Sequence, residues 1–285
     1  PSMKTSLSHL PEHKQDYIRN TADVIVQRIN PEKVILFGSH ATGRWVEDRY
    51  EQNGTLYEYI SDYDILVITR AGDHRKDHEI ESYVENAFST EAPINIITHD
   101  TAFINKKLEE SHYFFSDIVK EGIMLYDAGN VPLAEPRELN PQELRAKLQE
   151  HFDKWFKSAN AFLNSVIHNT EQGENNLALF ELHQTAERLY TTVLLVFTDY
   201  KPKAHNLARL YRYSKGFSKE LAMVFPRNTK EERHLFEQLK KGYVEARYDP
   251  DFSISKEDLT TLIERVRQMQ AITEKICKAH LAQVG

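Results

Sequence analysis

The 285-residue chain has a single cysteine, Cys277. One cysteine excludes an internal disulfide framework and a cysteine-rich zinc site. No apolar run approaches the ~18 residues of a membrane-spanning helix. The chain does not open on a basic segment followed by an apolar one, so no signal peptide is expected. Pro1-Ser2 ahead of Met3 reads as a cloning scar. Glycine is scarce at 10 residues, and six of the ten precede residue 139. Few turns mean long elements, so the second half is expected to be mainly helical. No dense basic run of the kind that binds nucleic acid is present. A cytoplasmic protein with no membrane or nucleic-acid partner is the expectation.

Hydrophobic residues make up 40% and charged residues 28%, ordinary values for a globular protein. The length suits about two domains at ~100–200 residues each. The charge splits unevenly. Residues 1–138 hold 14 Lys and Arg against 24 Asp and Glu, a net of −10, and the remainder nets +3. Gly129, Pro132, Pro136 and Pro141 crowd the segment Ala128–Pro141, which reads as a linker. The expected domains are residues 1–130 and 141–285.

The first half alternates helical patterns with short apolar runs. Leu10–Ile29 carries Ile18, Ala22, Ile25 and Ile29 at helical spacing. Val34–Phe37, Ile65–Ile68, Ile94–Ile97 and Ile123–Tyr126 read as strands. His78–Phe88 reads as a helix, and Thr101–Glu121 as one or two. This alternation predicts a mixed sheet with helices packed on it. Between the first two strands, Asn53-Gly54 predicts a hairpin with arms Trp45–Gln52 and Thr55–Ile60, because a type I′ turn needs two positive φ angles. After the linker, helical patterns cover about Gln142–His168, Asn175–Thr198, Asn206–Tyr213, Lys230–Tyr243 and Lys256–His280. Their lengths and short connections predict an antiparallel bundle. The fold class is therefore α+β followed by an all-α bundle.

The chemistry is expected in Gly38-Ser39-His40-Ala41-Thr42-Gly43-Arg44 and in Ser61-Asp62-Tyr63-Asp64. Asp62 and Asp64 are two apart, so on a strand they share a face. Two such carboxylates repel unless a positive charge sits between them. Magnesium suits that role, since it takes carboxylates together with substrate phosphate oxygens. A glycine at position 38 lets backbone amides approach a phosphate, and the Ser39 hydroxyl adds a donor.

The ordered set Gly-Ser, Ala-Thr-Gly-Arg and Ser-Asp-x-Asp resembles the nucleotidyltransferase superfamily related to DNA polymerase beta, above all its minimal and aminoglycoside-modifying members. The resemblance covers roughly residues 30–100. It implies transfer of a nucleoside monophosphate from an NTP, with ATP the expected one, to an acceptor that the sequence leaves unknown. It also implies that Gly38, Ser39 and Arg44 contact the nucleotide and that Asp62 and Asp64 ligate magnesium. Two departures stand out. The hairpin lengthens the step between Arg44 and Ser61. The third acidic residue of active relatives falls on Asn95, which can ligate through its carbonyl oxygen but cannot act as a base near neutral pH. The alternative reading is thus a catalytically impaired nucleotide-binding regulatory module. Asp100 has the wrong strand parity to replace Asn95, and His99 shares its parity but ends the strand.

Three segments of the second half, Leu179–Tyr190, Pro202–Leu207 and Tyr243–Pro250, resemble the HEPN family over roughly residues 142–280. HEPN domains often accompany minimal nucleotidyltransferases. Many are ribonucleases that use an Arg followed after four to six residues by His, paired across a homodimer. Arg247 matches the Arg, but no His follows within reach, so RNA cleavage is not expected. Arg247 and Tyr248 remain candidates for an anionic ligand; the plainer alternative pairs Arg247 with Asp249 or Asp251 and packs Tyr248 in the bundle. His183 and Glu187 share a helix face, with His183 read as a core histidine.

Overall fold

A computed structural model describes residues 2–89 and 92–284. Pro1 of the expected scar, and the end residues Pro1 and Gly285 of the two expected domains, lie outside the described residues. The chain divides into two compact units. One comprises residues up to Arg49 together with Glu58–Leu139, and the other Tyr50–Tyr57 with Asn140 onward.

Up to Leu139 the order along the chain is α1 (Glu12–Ile29), β1 (Lys33–Phe37), α2 (Ser39–Thr42), β2 (Glu47–Gln52), β3 (Thr55–Ile60), β4 (Tyr63–Thr69), α3 (Asp77–Ala87), β5 (Ile94–Asp100), α4 (Thr101–Glu109), α5 (Tyr113–Glu121) and β6 (Ile123–Asp127). Four strands form a mixed sheet in the order β5-β4-β1-β6. β1 runs antiparallel to β4 and β6, and β4 runs parallel to β5. The apolar run of β1 is buried on both faces: Val34, Ile35 and Leu36 are fully covered. Burial on both faces explains why these strands read as continuous apolar runs and not as alternating ones. α1 lays Ile18, Ala22, Ile25 and Ile29 into the same core as Val34, Leu36, Ile65 and Val67.

Both edges of the sheet are covered. On β5, the backbone N–H of Ile96 donates to Glu81 and that of Thr98 to Asp77, each at 2.9 Å. Residues 96 and 98 share one side of the strand, and residues 77 and 81 are one turn apart on α3, so the helix supplies an acceptor for every second amide. On β6, the N–H of Met124 donates to the Lys4 carbonyl at 2.8 Å, and Lys4 bridges Ile123 in parallel.

The hairpin forms as its turn chemistry requires, with Asn53 at φ 53° and Gly54 at φ 76°. Its first arm starts two residues later than expected, at Glu47. Thr101–Glu121 resolves into two helices separated at Ser111, whose φ is 62°.

The second unit contains α6 (Pro141–Glu171), α7 (Asn175–Thr198), α8 (Leu207–Ser214), α9 (Lys219–Ala222), α10 (Lys230–Lys241), α11 (Glu245–Tyr248) and α12 (Lys256–Gln283). Asn140 caps α6 through the Gln142 N–H, with Pro141 at its first position, where a missing N–H costs nothing. α6 and α7 lie antiparallel: Lys147 and His151 near the start of α6 reach Asp199 past the end of α7, and Asn169 near the end of α6 reaches Glu181 early in α7. Their shared core includes Leu148, Leu163, Leu182, Leu189 and Val193, and α12 adds Leu262, Val266 and Met269.

Candidate active site

The two aspartates enter from the start of β4, and β5 brings Asn95 against them. In the parallel register Asp64 pairs with Asn95, and across the antiparallel pair it faces Phe37, the residue before Gly38. Asn95 Nδ2 donates to Asp62 Oδ2 at 2.9 Å and to Asp64 Oδ1 at 3.1 Å. One amide nitrogen thus spends both hydrogens on the two carboxylates and offsets part of their repulsion. Asp62 is 5% exposed and Asn95 2%. The other amide atom, Asn95 Oδ1, is buried without a hydrogen-bond partner, a costly state for a carbonyl oxygen.

Gly38 ends β1 and caps α2 at φ 75° and ψ −155°. A Cβ at this position would lie 2.4 Å from Asp64 Oδ2. Two independent reasons therefore demand glycine: the left-handed backbone and the approach to the carboxylate. The Arg44 N–H donates to the Ser39 carbonyl at 2.9 Å and closes the loop. Ser39 is half-buried and Arg44 exposed. The Arg44 charge acts on Asp117 of α5, whose carboxyl is held above its ordinary range by burial and then by Glu121. Gly38, Ser39, Asp62, Asp64 and Asn95 are thus brought together at adjoining strand ends.

Behind Asp62 lies a buried polar cluster that sequence reasoning missed. His40, 1% exposed, accepts or donates through both ring nitrogens. Its Nδ1 is 3.0 Å from the Asp62 carbonyl oxygen, and its Nε2 is 3.4 Å from Lys14 Nζ. A carbonyl only accepts, so Nδ1 carries the ring's proton and Nε2 accepts a hydrogen bond from Lys14. Burial, reinforced by the Lys14 charge, lowers the His40 pKa to about 4, so the ring is neutral. Lys14 Nζ also contacts Glu47 Oε1 at 2.6 Å and the Tyr63 hydroxyl at 3.4 Å, and it lies 4.6 Å from the centre of the Trp45 ring. The signal was present: Lys14 is four residues before Ile18 and continues the apolar stripe of α1, a place where lysine is rare unless paired.

The candidate substitutes for the third acid are engaged elsewhere. His99 lies four residues beyond Asn95 on β5, about 13 Å at 3.3 Å per residue, and its ring stacks on Phe103 at 4.0 Å. Asp100 caps α4 by accepting from the Phe103 N–H at 2.8 Å.

Among the described residues, no group of three or more His, Cys, Asp or Glu side chains is placed to hold a metal ion. The donor set at Asp62 and Asp64 is two carboxylates with an adjoining amide. It fits a magnesium ion that arrives with substrate phosphates and takes its remaining ligands from them and from water. Turning the Asn95 amide would give its unpartnered oxygen a role.

In the second unit, His183 is 1% exposed, and burial, then His205 and Arg247, lowers its pKa to about 4. The core reading of His183 holds for burial but not for bonding: its Nδ1 has no hydrogen-bond partner and stands 3.8 Å from Glu187 Oε2. Glu187 is engaged instead by His205 Nδ1 at 2.6 Å. Arg247 makes no ion pair with Asp249 or Asp251 among the described residues. Its Nε donates to the Tyr243 carbonyl at 2.6 Å, and its guanidinium sits against Phe180, Tyr243 and Tyr248 at 4.8, 5.0 and 4.7 Å. Tyr248 is 71% exposed, so it does not pack in the bundle.

No curated protein matches the chain. Among solved structures, one of a candidate nucleotidyltransferase from Sulfolobus solfataricus is 16% identical, covering 40% of this chain and 81% of that one at a TM-score of 0.25. Likeness at that level says nothing about chemistry. The family model of the HEPN domain matches residues 152–276, from α6 into α12. The helical unit of this chain is thus similar to the HEPN domain over residues 152–276.

Proposed function

We propose that the first unit binds a nucleoside triphosphate with magnesium and transfers its nucleoside monophosphate to an acceptor, with pyrophosphate as leaving group. The observation that carries this reading is the convergence of Gly38, Asp62, Asp64 and Asn95 at adjoining strand ends. The backbone at Gly38 and the Ser39 hydroxyl would receive the phosphates. Asp62 and Asp64 would hold the cation, which when bound supplies charge neutralisation at the phosphate oxygens. Arg44, exposed at the loop's end, is free to reach an outer phosphate. Nothing in the site favours one base over another, so ATP is proposed as the nucleotide only by the resemblance.

Asn95 favours a second reading. Asn95 stands where the resemblance expects a third carboxylate, and its amide already offsets part of the repulsion of the acidic pair. The unit would then bind nucleotide and signal its presence without turnover.

One experiment separates the two. The protein is incubated with α-labelled NTP, magnesium and candidate small-molecule or protein acceptors, and nucleotide binding is measured by calorimetry alongside. Label transfer that disappears in Asp62→Ala with Asp64→Ala supports the transferase. Magnesium-dependent binding without transfer supports the regulatory module. Absence of both overturns the reading of the site.

A further inference from the structure

The cluster behind Asp62 is not needed to fill the core. Apolar side chains would fill the space without burying an ammonium group, and a buried ion pair is weak evidence for stability. Its geometry is nevertheless complete. Lys14 Nζ has three hydrogens and three acceptors: Glu47 Oε1, His40 Nε2 and the Tyr63 hydroxyl. His40 Nδ1 then donates to the Asp62 carbonyl. The His40 ring is clamped at 4.2 Å against the Tyr63 ring, nearly parallel to it. His40 and Tyr63 each adjoin a residue of the candidate site: His40 follows Ser39, and Tyr63 lies between Asp62 and Asp64. The chain of hydrogen bonds therefore links Glu47 on the inserted hairpin, as acceptor, through Lys14 of α1 and His40 to the backbone that carries the Asp62 carboxylate.

We propose that His40 and Lys14 are positioning residues for Asp62, and that the inserted hairpin serves the site by holding Lys14 through Glu47. The proposal rests on the reading of Asp62 as a ligand of the nucleotide-bound cation. The role is indirect: none of the three side chains touches substrate. His40 sets the direction of the Asp62 peptide, Lys14 sets the His40 tautomer, and Glu47 sets Lys14. Comparable outer partners of metal ligands alter affinity by about 10–100-fold when removed. The insertion is on this account part of the site's support.

Two measurements test it on the full chain. The first needs no nucleotide. Nitrogen-15 NMR of the imidazole rings should show His40 neutral with its proton on Nδ1, and the Asp62 carbonyl shift should move in Lys14→Met. A His40 proton on Nε2, or an unmoved Asp62 shift, overturns the linkage. The second is calorimetric binding of manganese with a non-hydrolysable NTP. Binding should weaken about 10-fold or more in Lys14→Met, His40→Leu and Glu47→Gln. His40→Asn, whose amide can replace the Nδ1–H, should recover most of it. Glu58→Gln, which breaks only the exposed Arg49–Glu58 pair of the same hairpin, should leave it unchanged. Wild-type affinity in the first three variants overturns the proposal. If the wild type binds no nucleotide, the functional reading fails, and the NMR arm still decides the linkage by itself.

Discussion

Two buried histidines, one in each unit, set the two halves of the molecule against each other. His40 and His183 are each 1% exposed and each lowered to about 4, burial being the main cause in both. Around His40 both ring nitrogens are matched and the neighbouring ammonium uses all three hydrogens. Around His183 the Nδ1 atom and the Glu187 Oε2 atom face each other at 3.8 Å without a bond. The first arrangement is what preorganised support of a ligand demands. The second leaves two buried polar atoms unmatched, a state that costs free energy and is tolerated in a well-packed helical core. Burial alone therefore does not separate the two histidines; the matching of donors and acceptors around them does.

The comparison breaks most visibly at the acidic pair. Asp62→Ala with Asp64→Ala should reduce manganese–nucleotide binding and label transfer to background, by calorimetry and by labelled NTP. Retention of either would remove the first unit from the chemistry. Next in size is Asn95→Asp. General-base participation contributes about 10²–10⁴-fold, so transfer should rise by about 100-fold or more if the missing carboxylate limits it. An unchanged rate in the single-turnover assay would locate the base elsewhere. Gly38→Ala follows. The new Cβ would meet Asp64 Oδ2 in a left-handed backbone that costs of order 1–3 kcal/mol. Nucleotide affinity should fall about 10-fold or more, and the urea midpoint should fall with it. A variant that binds normally would show that the Gly38–Asp64 approach is incidental.

The smallest effect sharpens the helical side. The folded pKa of His183, about 4, lies below its ordinary 6.5. Between those values the unfolded chain takes up a proton before the folded one does, so stability is complete above pH 6.5 and declines as pH falls toward 4. His40 and His280, also lowered, act in the same direction. Urea midpoints measured from pH 7 to pH 4 should fall, and less steeply in His183→Gln. Parallel curves for variant and wild type would mean that His183 is no more buried in solution than an ordinary histidine.

Much of this architecture was legible because it is local. The four apolar runs became the four strands, and Asn53-Gly54 made its turn, since strand burial and turn chemistry act over a few residues. The acidic pair was legible for the same reason: a spacing of two places both carboxylates on one strand face. The placement of Asn95 beside them followed from a resemblance, and the sheet register then brought it there. The buried cluster was not legible, because it joins positions 14, 40, 47 and 63 through tertiary contacts that no single segment displays. The exposure of Tyr248 was left open between ligand contact and packing because its helix, α11, is only four residues long, too short for a pattern to tell the buried face from the exposed one.

The carboxylates of α3 that accept the Ile96 and Thr98 amides have a consequence for how copies of this chain meet. A sheet grows by offering unpaired backbone groups to another strand. Here one edge is occupied by Asp77 and Glu81 and the other by the segment at Lys4. Partner recognition by strand addition, and uncontrolled fibre growth by the same route, are both hindered at these positions of the sheet.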